Sequence, residues 1–209
     1  KVIDRASAAA CDVRPFRRTS RTWLNGGLME PDADTGAIAV PLPNGETIRI
    51  RAIAATDGDA LNRFHERLSS ETTRLRFFTM HPHLSAIEVD HFTHVDHHER
   101  DALVALDGDD VIGVGRFERL ASSDDAEVAF VVDDPWQGHG VATQLLRLLV
   151  ERARAEGITR FVADTLGENY RMRAVFRRSG MAVESTVHAG VIHVALQLPA
   201  LSGAGPATP

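Results

Sequence analysis

Cysteine is nearly missing from this chain. Cys11 stands alone among 209 residues, so no internal disulfide can form and a reducing compartment is the simpler expectation. Long apolar runs are missing too: no stretch reaches bilayer-spanning length and no signal-type segment is present, so a cytoplasmic protein with no membrane partner is expected. Basic charge is in deficit, with 23 Lys and Arg against 29 Asp and Glu. That balance argues against nucleic acid as the main partner and favours a cationic substrate. Internal repeats are absent, and the length suits one domain with appendages.

What is present is organised around residues 126–156. Residues 126–132 read as a strand, nearly all apolar, with one carboxylate, Glu127, inside it. Asp133, Asp134 and Pro135 end the strand, because proline lacks the ladder N–H and restricts the residue before it. In Gln137-Gly138-His139-Gly140-Val141-Ala142 the two glycines permit positive φ, so successive N–H groups can face one concavity. From Val141 to about Glu156 apolar residues recur at helical spacing, and Gly157 supplies the stop. A glycine turn opening a helix joins unpaired N–H donors to the positive end of the helix dipole, which suits a phosphate or pyrophosphate.

Elsewhere, residues 1–36 show no sustained period and read as a loosely structured extension, and 199–209, rich in Gly, Ala, Ser and Pro, as a disordered tail. Between them, 37–198 form the main domain. Strands at 37–40 and 46–53 flank an Asn44-Gly45 turn. Helices follow, one capped by Thr56 or Asp57, one from Ser69, and one opened by the Ser85-x-x-Glu88 capping box. Strands are expected at 102–106 and 111–117, a buried strand at 160–163, a helix at 168–178 and a closing hairpin at 181–186 and 191–198. Gly113 and Gly115 repeat the G-x-G pattern within a strand, where a bulge or close packing is their expected role.

Gln137-x-x-Gly140-x-Ala142, between its strand and helix, resembles the cofactor signature of the GCN5-related N-acetyltransferases (GNAT family). The segments DGDALNRFHERLSSETTRLRFF, HVDHHERDALVAL and AEVAFVVDDPWQGHG together resemble the catalytic domain of bacterial Pat-type protein lysine acetyltransferases. The resemblance covers residues 47–198. It implies an α/β (α+β) fold with a mixed, mostly antiparallel central sheet flanked by helices. It also implies acetyl-CoA as the acetyl donor, no metal, and a protein partner bearing a reactive lysine, such as an acyl-CoA synthetase. A small-molecule amine acetyltransferase is the alternative enzyme, and a non-catalytic acyl-CoA sensor is the alternative outside catalysis.

Under that resemblance Gln137, Gly138, His139, Gly140, Val141 and Ala142 hold the pyrophosphate. Val131, Val132 and Asp133 pair with the pantetheine, and the Val131 N–H polarises the thioester oxygen. Asn169 corresponds to the asparagine that bonds the pantetheine arm, with capping of its own helix as the other reading. Glu127 is the expected general base. Freeing a lysine amine of its proton at pH 7 costs about 4.6 kcal/mol, and alternation on a strand apolar on both faces predicts a buried Glu127 with a raised pKa, an edge or solvent-facing carboxylate being the other reading. The family usually carries a Tyr seven residues after that Asn; here the position holds Phe176, which cannot donate a proton, and the only tyrosine, Tyr170, lies two helical turns away. In the His91–His98 stretch, Asp96 and Glu99 are expected to meet the incoming ammonium, the histidines to line its channel.

Overall fold

The computed structural model describes residues 32 and 36–200, together with the backbone of two short strands before them. Those strands, β1 (Thr22–Leu24) and β2 (Gly27–Met29), pair antiparallel inside the stretch read as a loose extension, with Trp23 opposite Leu28. They belong to a compact unit of their own, Lys1–Glu30. The expected tail lies almost wholly outside the described residues.

The second unit carries one eight-stranded sheet in the order β3-β4-β5-β6-β7-β8-β10-β9. Its first half is an antiparallel run: β3 (Ile38–Pro41), β4 (Thr47–Ala52), β5 (Arg100–Asp107), β6 (Asp110–Arg119) and β7 (Asp125–Val132). β8 (Arg160–Leu166) joins β7 in parallel, and β10 (Val191–Gln197) then lies between β8 and β9 (Ala182–His188). The mostly antiparallel sheet with flanking helices is the expected α/β architecture, and among the described strands only β7 and β8 pair in parallel.

Helices cover both faces. α1 (Gly58–Arg67) lays Leu61 and Phe64 on Ile53, Ala102, Val104 and Val114, and burying a side chain of this size contributes about 1.5–3 kcal/mol. Asp57 precedes α1 without capping it through its side chain. Its carboxylate instead accepts from Ala54 N–H at 2.8 Å and from both Nη atoms of Arg51 at 2.6 and 2.8 Å, fastening the helix entry to β4. α2 (Ser70–Phe77) has Ser69 as its cap, and α3 (Ala86–Thr93) has the Ser85–Glu88 capping box. On the opposite face α4 (Val141–Ala155) lies so close that a Cβ at Gly113 would come 3.1 Å from Val141 and one at Gly115 3.1 Å from Leu149, while the Phe130 ring of β7 would stand 2.9 Å from that second Cβ. Close packing is therefore the reason for the second G-x-G. α5 (Tyr170–Arg178) follows β8, and Phe176 meets Phe130 edge to face with ring centres 6.4 Å apart.

Candidate functional site: the parting of two parallel strands

β7 is paired along its whole β6 edge, from Ala126 opposite Arg119 to Val132 opposite Gly113. Along its other edge it pairs with β8 at three positions only, Asp125, Ala126 and Glu127 opposite Arg160, Phe161 and Val162. Beyond Glu127 the two strands part: β8 stays paired to β10 along its whole length, and on the β7 side Phe176 of α5 packs beside Phe130. The opening is a cavity of about 80 Å³ walled by Glu127, Phe130, Thr165, Asn169 and Phe176 among others. A strand edge left unpaired presents N–H and C=O groups that an extended ligand can take up.

Which groups those are follows from the ladder. Asp133 N–H donates to Ile112 C=O at 2.9 Å, and in an antiparallel pair this direction alternates. Residues 127, 129 and 131 therefore bond toward β6; the Val128 N–H is taken by the last β8 pair, and the Val128 C=O and the polar groups of Phe130 and Val132 are on the edge facing the opening. The Val132 C=O confirms the phase by accepting from Gln137 Nε2 at 3.0 Å. The expectation that Val131 N–H polarises a thioester is corrected by this geometry: that N–H is turned into the sheet, and Phe130 and Val132 carry the donors on the open edge. Asp133, expected to pair with pantetheine, is buried and bound to Arg67 at 3.3 Å, and its own N–H is already donated to β6.

The strand leads into the glycine turn through a single helical turn, Asp134–Trp136. Asp134 accepts from Ser69 N–H at 2.9 Å, Ser69 Oγ at 2.7 Å and Thr72 Oγ1 at 2.8 Å, which ties the turn to the start of α2. Burial opposes the charge on this carboxyl, but these donors outweigh it and hold its pKa below the ordinary value. Gln137 extends the fastening: its Nε2 also reaches Thr72 at 2.9 Å, and its Oε1 accepts from Arg171 of α5. Its side chain is thus committed to bracing the loop. Gly138 and Gly140 have φ of 84° and 98°, the left-handed region that other residues enter at a cost. Gly140 is the N-cap of α4 and offers no side-chain acceptor, so the first N–H groups of the helix, at Val141, Ala142 and Thr143, have no side-chain cap. His139 is exposed beside them, edge to face with Trp136.

Glu127 stands where the strands separate, on the face shared with Ala129 and Val131. It is exposed rather than buried as expected: Phe64, Phe77 and Phe92 line the closed side of Ala129 and Val131, whereas Glu127 shares an open cavity wall with Leu75, Arg76 and the exposed Phe78. Glu118 is opposite it on β6. Asn169 caps α5, its Oδ1 accepting from Met172 N–H at 3.1 Å, while the residue also lines the cavity. Both of its readings are therefore compatible, the oxygen serving the helix and the amide NH₂ the opening. Thr165 was not anticipated: its hydroxyl is buried in the cavity wall and has no hydrogen-bond partner, a vacancy that a bound molecule can fill. Its only signal was that it alternates with Phe161 and Ala163 on the buried face of its strand.

Asp96 and Glu99 are not brought to this opening. Asp96 accepts three backbone N–H bonds, from His98, Glu99 and Arg100, each 2.9 Å; burial opposes its charge, yet these bonds keep the carboxyl below its usual pKa. Glu99 pairs with Arg119 at 3.1 Å. The four nearby histidines each face a separate carboxylate: His91 Glu118, His94 Asp90, His97 Asp101 and His98 Glu156. Among the described residues no three His, Cys, Asp or Glu side chains converge as a metal site, and no helix is long and apolar enough to cross a membrane.

Known proteins resemble this chain in sequence and fold. The family model described as Acetyltransferase (GNAT) family matches residues 61–181. Acetyltransferase Pat of Mycolicibacterium smegmatis is 30% identical over 165 residues, which is 78% of this chain and 49% of that protein, so the chain spans about half the length of this relative. The crystal structure of the GNAT domain of S. lividans PAT superposes with a TM-score of 0.74 at 37% identity, covering 81% of this chain and 100% of that one. A cAMP-binding acyltransferase from Mycobacterium smegmatis gives 0.56 at 27% identity, over 78% of this chain and 47% of its own.

Proposed function

The chain belongs to the acetyltransferase (GNAT) family, and on that footing we propose that it transfers the acetyl group of acetyl-CoA to the side-chain amine of a lysine in a protein, with Glu127 as general base. The observation that carries this reading is the placing of one exposed carboxylate at the point where β7 and β8 part, at the head of an unpaired strand edge that leads to an uncapped helix N-terminus.

The residues divide the work along that edge. Gly138 to Ala142 seat the pyrophosphate on backbone N–H groups and the helix dipole. Phe130 and Val132 pair with the pantetheine and present an N–H to the thioester oxygen, and the Asn169 amide holds the arm from the far side. The lysine ammonium gives one proton to Glu127 and the neutral amine attacks the thioester carbon; the C–N bond forms, the C–S bond breaks, and CoA leaves as a thiolate that takes up, through water, the second proton shed by the nitrogen as the amide forms. Phe176 fills the place of a proton donor with a ring buried against Phe130. A CoA thiol close to cysteine in acidity, about 8.5, leaves without one.

A protein acceptor is favoured by the rim. Glu127 shares the cavity wall with Leu75, Met172 and the exposed Phe78, and the exposed Met80 and Tyr170 follow Phe78 and Asn169 of that wall within two residues in sequence. Apolar side chains around an open site suit a macromolecular surface better than a small polar amine. The relationship to acetyltransferase Pat supports the acetyl transfer itself. The test is thiol release from acetyl-CoA with acyl-CoA synthetases and other lysine-bearing proteins set against polyamines, amino acids and aminoglycosides. Proteins are expected to give kcat/KM at least about tenfold above every small amine. Faster turnover of a small amine than of any protein contradicts the reading.

A further inference from the structure

A second cavity, of about 40 Å³, lies on the α1–α3 side of β7. Its wall is apolar, with Phe64, Phe92, Ala129 and Val131 in it, apart from His65 and two arginines, Arg76 and Arg116; no carboxylate contributes. Arg76 also lines the opening that contains Glu127, so it stands between the two spaces. Ala129 and Val131 belong to the strand on which the thioester is placed.

The two guanidiniums are poorly compensated. Arg116 lies over the Phe92 ring at 4.2 Å, and its Nη2 is buried with no hydrogen-bond partner. Arg76 lies 4.9 Å from the centre of the Phe77 ring. The carboxylates that reach them electrostatically are Glu118 and Glu127, neither of which lines this cavity. Burial, with repulsion from Arg76 next, pushes Arg116 down to about 10, and burial lowers Arg76, with Glu127 partly offsetting it. Two like charges kept in an apolar wall with a donor left unmade are costly, and an anion entering the cavity relieves both costs at once. The size selects the anion: at roughly 10–15 Å³ for each water-sized position, the space admits about three such positions, which suits a planar carboxylate. Guanidinium groups bind that group through paired N–H donors.

We propose that Arg76 and Arg116 form a subsite for a carboxylate carried by a reacting molecule, either the distal carboxylate of a short dicarboxylic acyl-CoA or a carboxylate next to the acceptor amine. The inference rests on the acyl-transfer reading above. The bonds made and broken are those already given, with the carboxylate a spectator that fixes the position of the acyl group or the amine.

The experiment uses the full chain, Arg116→Met and Arg76→Met, which keep much of the apolar stem, and the corresponding Lys variants. In the donor arm, calorimetry compares malonyl-CoA and succinyl-CoA with acetyl-CoA. In the acceptor arm, thiol release from acetyl-CoA compares lysine peptides with Glu or Gln beside the lysine. The parent is expected to prefer the carboxylate by roughly tenfold in one arm, which identifies its source. Either Met variant should abolish that preference while acetyl-CoA affinity stays within about twofold, and Lys should restore part of it. No preference in either arm, or a preference that survives both Met variants, overturns the subsite while leaving acetyl transfer standing. A parent that binds no CoA thioester overturns both.

Discussion

β7 has two edges that end differently. Toward β6 every residue from Ala126 to Val132 is paired, the backbone groups are consumed, and the neighbouring strands carry the buried core. Toward β8 pairing stops at Glu127, and the same strand presents unpaired groups to a cavity. One strand thus anchors the fold on one side and offers a binding edge on the other. Stability and activity should accordingly answer to different residues.

The largest effect expected on the closed side is at Asp101. This buried carboxylate accepts from His97 at 2.8 Å and Ala102 N–H at 2.8 Å and pairs with Arg152. Burial works against its charge, but the His97 bond and the Arg152 charge outweigh it, so its pKa lies below the ordinary value. Its stabilisation is therefore complete above the unfolded value of about 3.9 and fades as pH falls through the lower folded value. Asp101→Asn should cost about 3 kcal/mol in urea unfolding at pH 7, converge on the parent in acid, and leave acetyl-CoA affinity intact in the folded protein. Weakened acetyl-CoA binding in a variant still folded would blur the division between the edges.

On the open side, Gly140→Val combines a left-handed φ with a Cβ 3.1 Å from Pro43, and should weaken acetyl-CoA binding by roughly tenfold or more. Gly138→Ala meets nothing within 4 Å, so only its φ of 84° opposes it and a smaller loss is expected. Unchanged affinity in a folded Gly140 variant removes the phosphate seat from this loop. The smallest effect should come from Phe176→Tyr, with turnover within about fivefold of the parent. A gain of several hundredfold would show that protonation of the leaving thiolate had been limiting.

Much of this was legible in the sequence because it is local. The glycine turn, the helix it opens, the Ser85–Glu88 box and the second G-x-G all depend on residues within a few positions of one another. What escaped depends on partners far along the chain. Alternation along β7 was evident, but its phase, which turns Val131 N–H inward, is set by Ile112. Glu127 looked buried because its neighbours are apolar, whereas its exposure depends on the open wall it shares with Leu75, Arg76 and Phe78. Asp96 and Glu99 carry the right charge for an ammonium, but backbone donors and Arg119 had already engaged them. The juxtaposition of Arg76 with Arg116 exists only once α2 lies across the sheet.

If the open edge is catalytic with Glu127 as its base, the pH dependence of Glu127→Gln with a cognate protein acceptor will show it. Acetyl-CoA affinity should hold, since the shape of the edge is kept. The rate near pH 7 should fall by about 10²- to 10⁴-fold. That deficit should shrink as pH rises toward about 10.4, where the lysine arrives neutral and needs no base. Near-parental activity of the Gln variant at pH 7 would contradict the account.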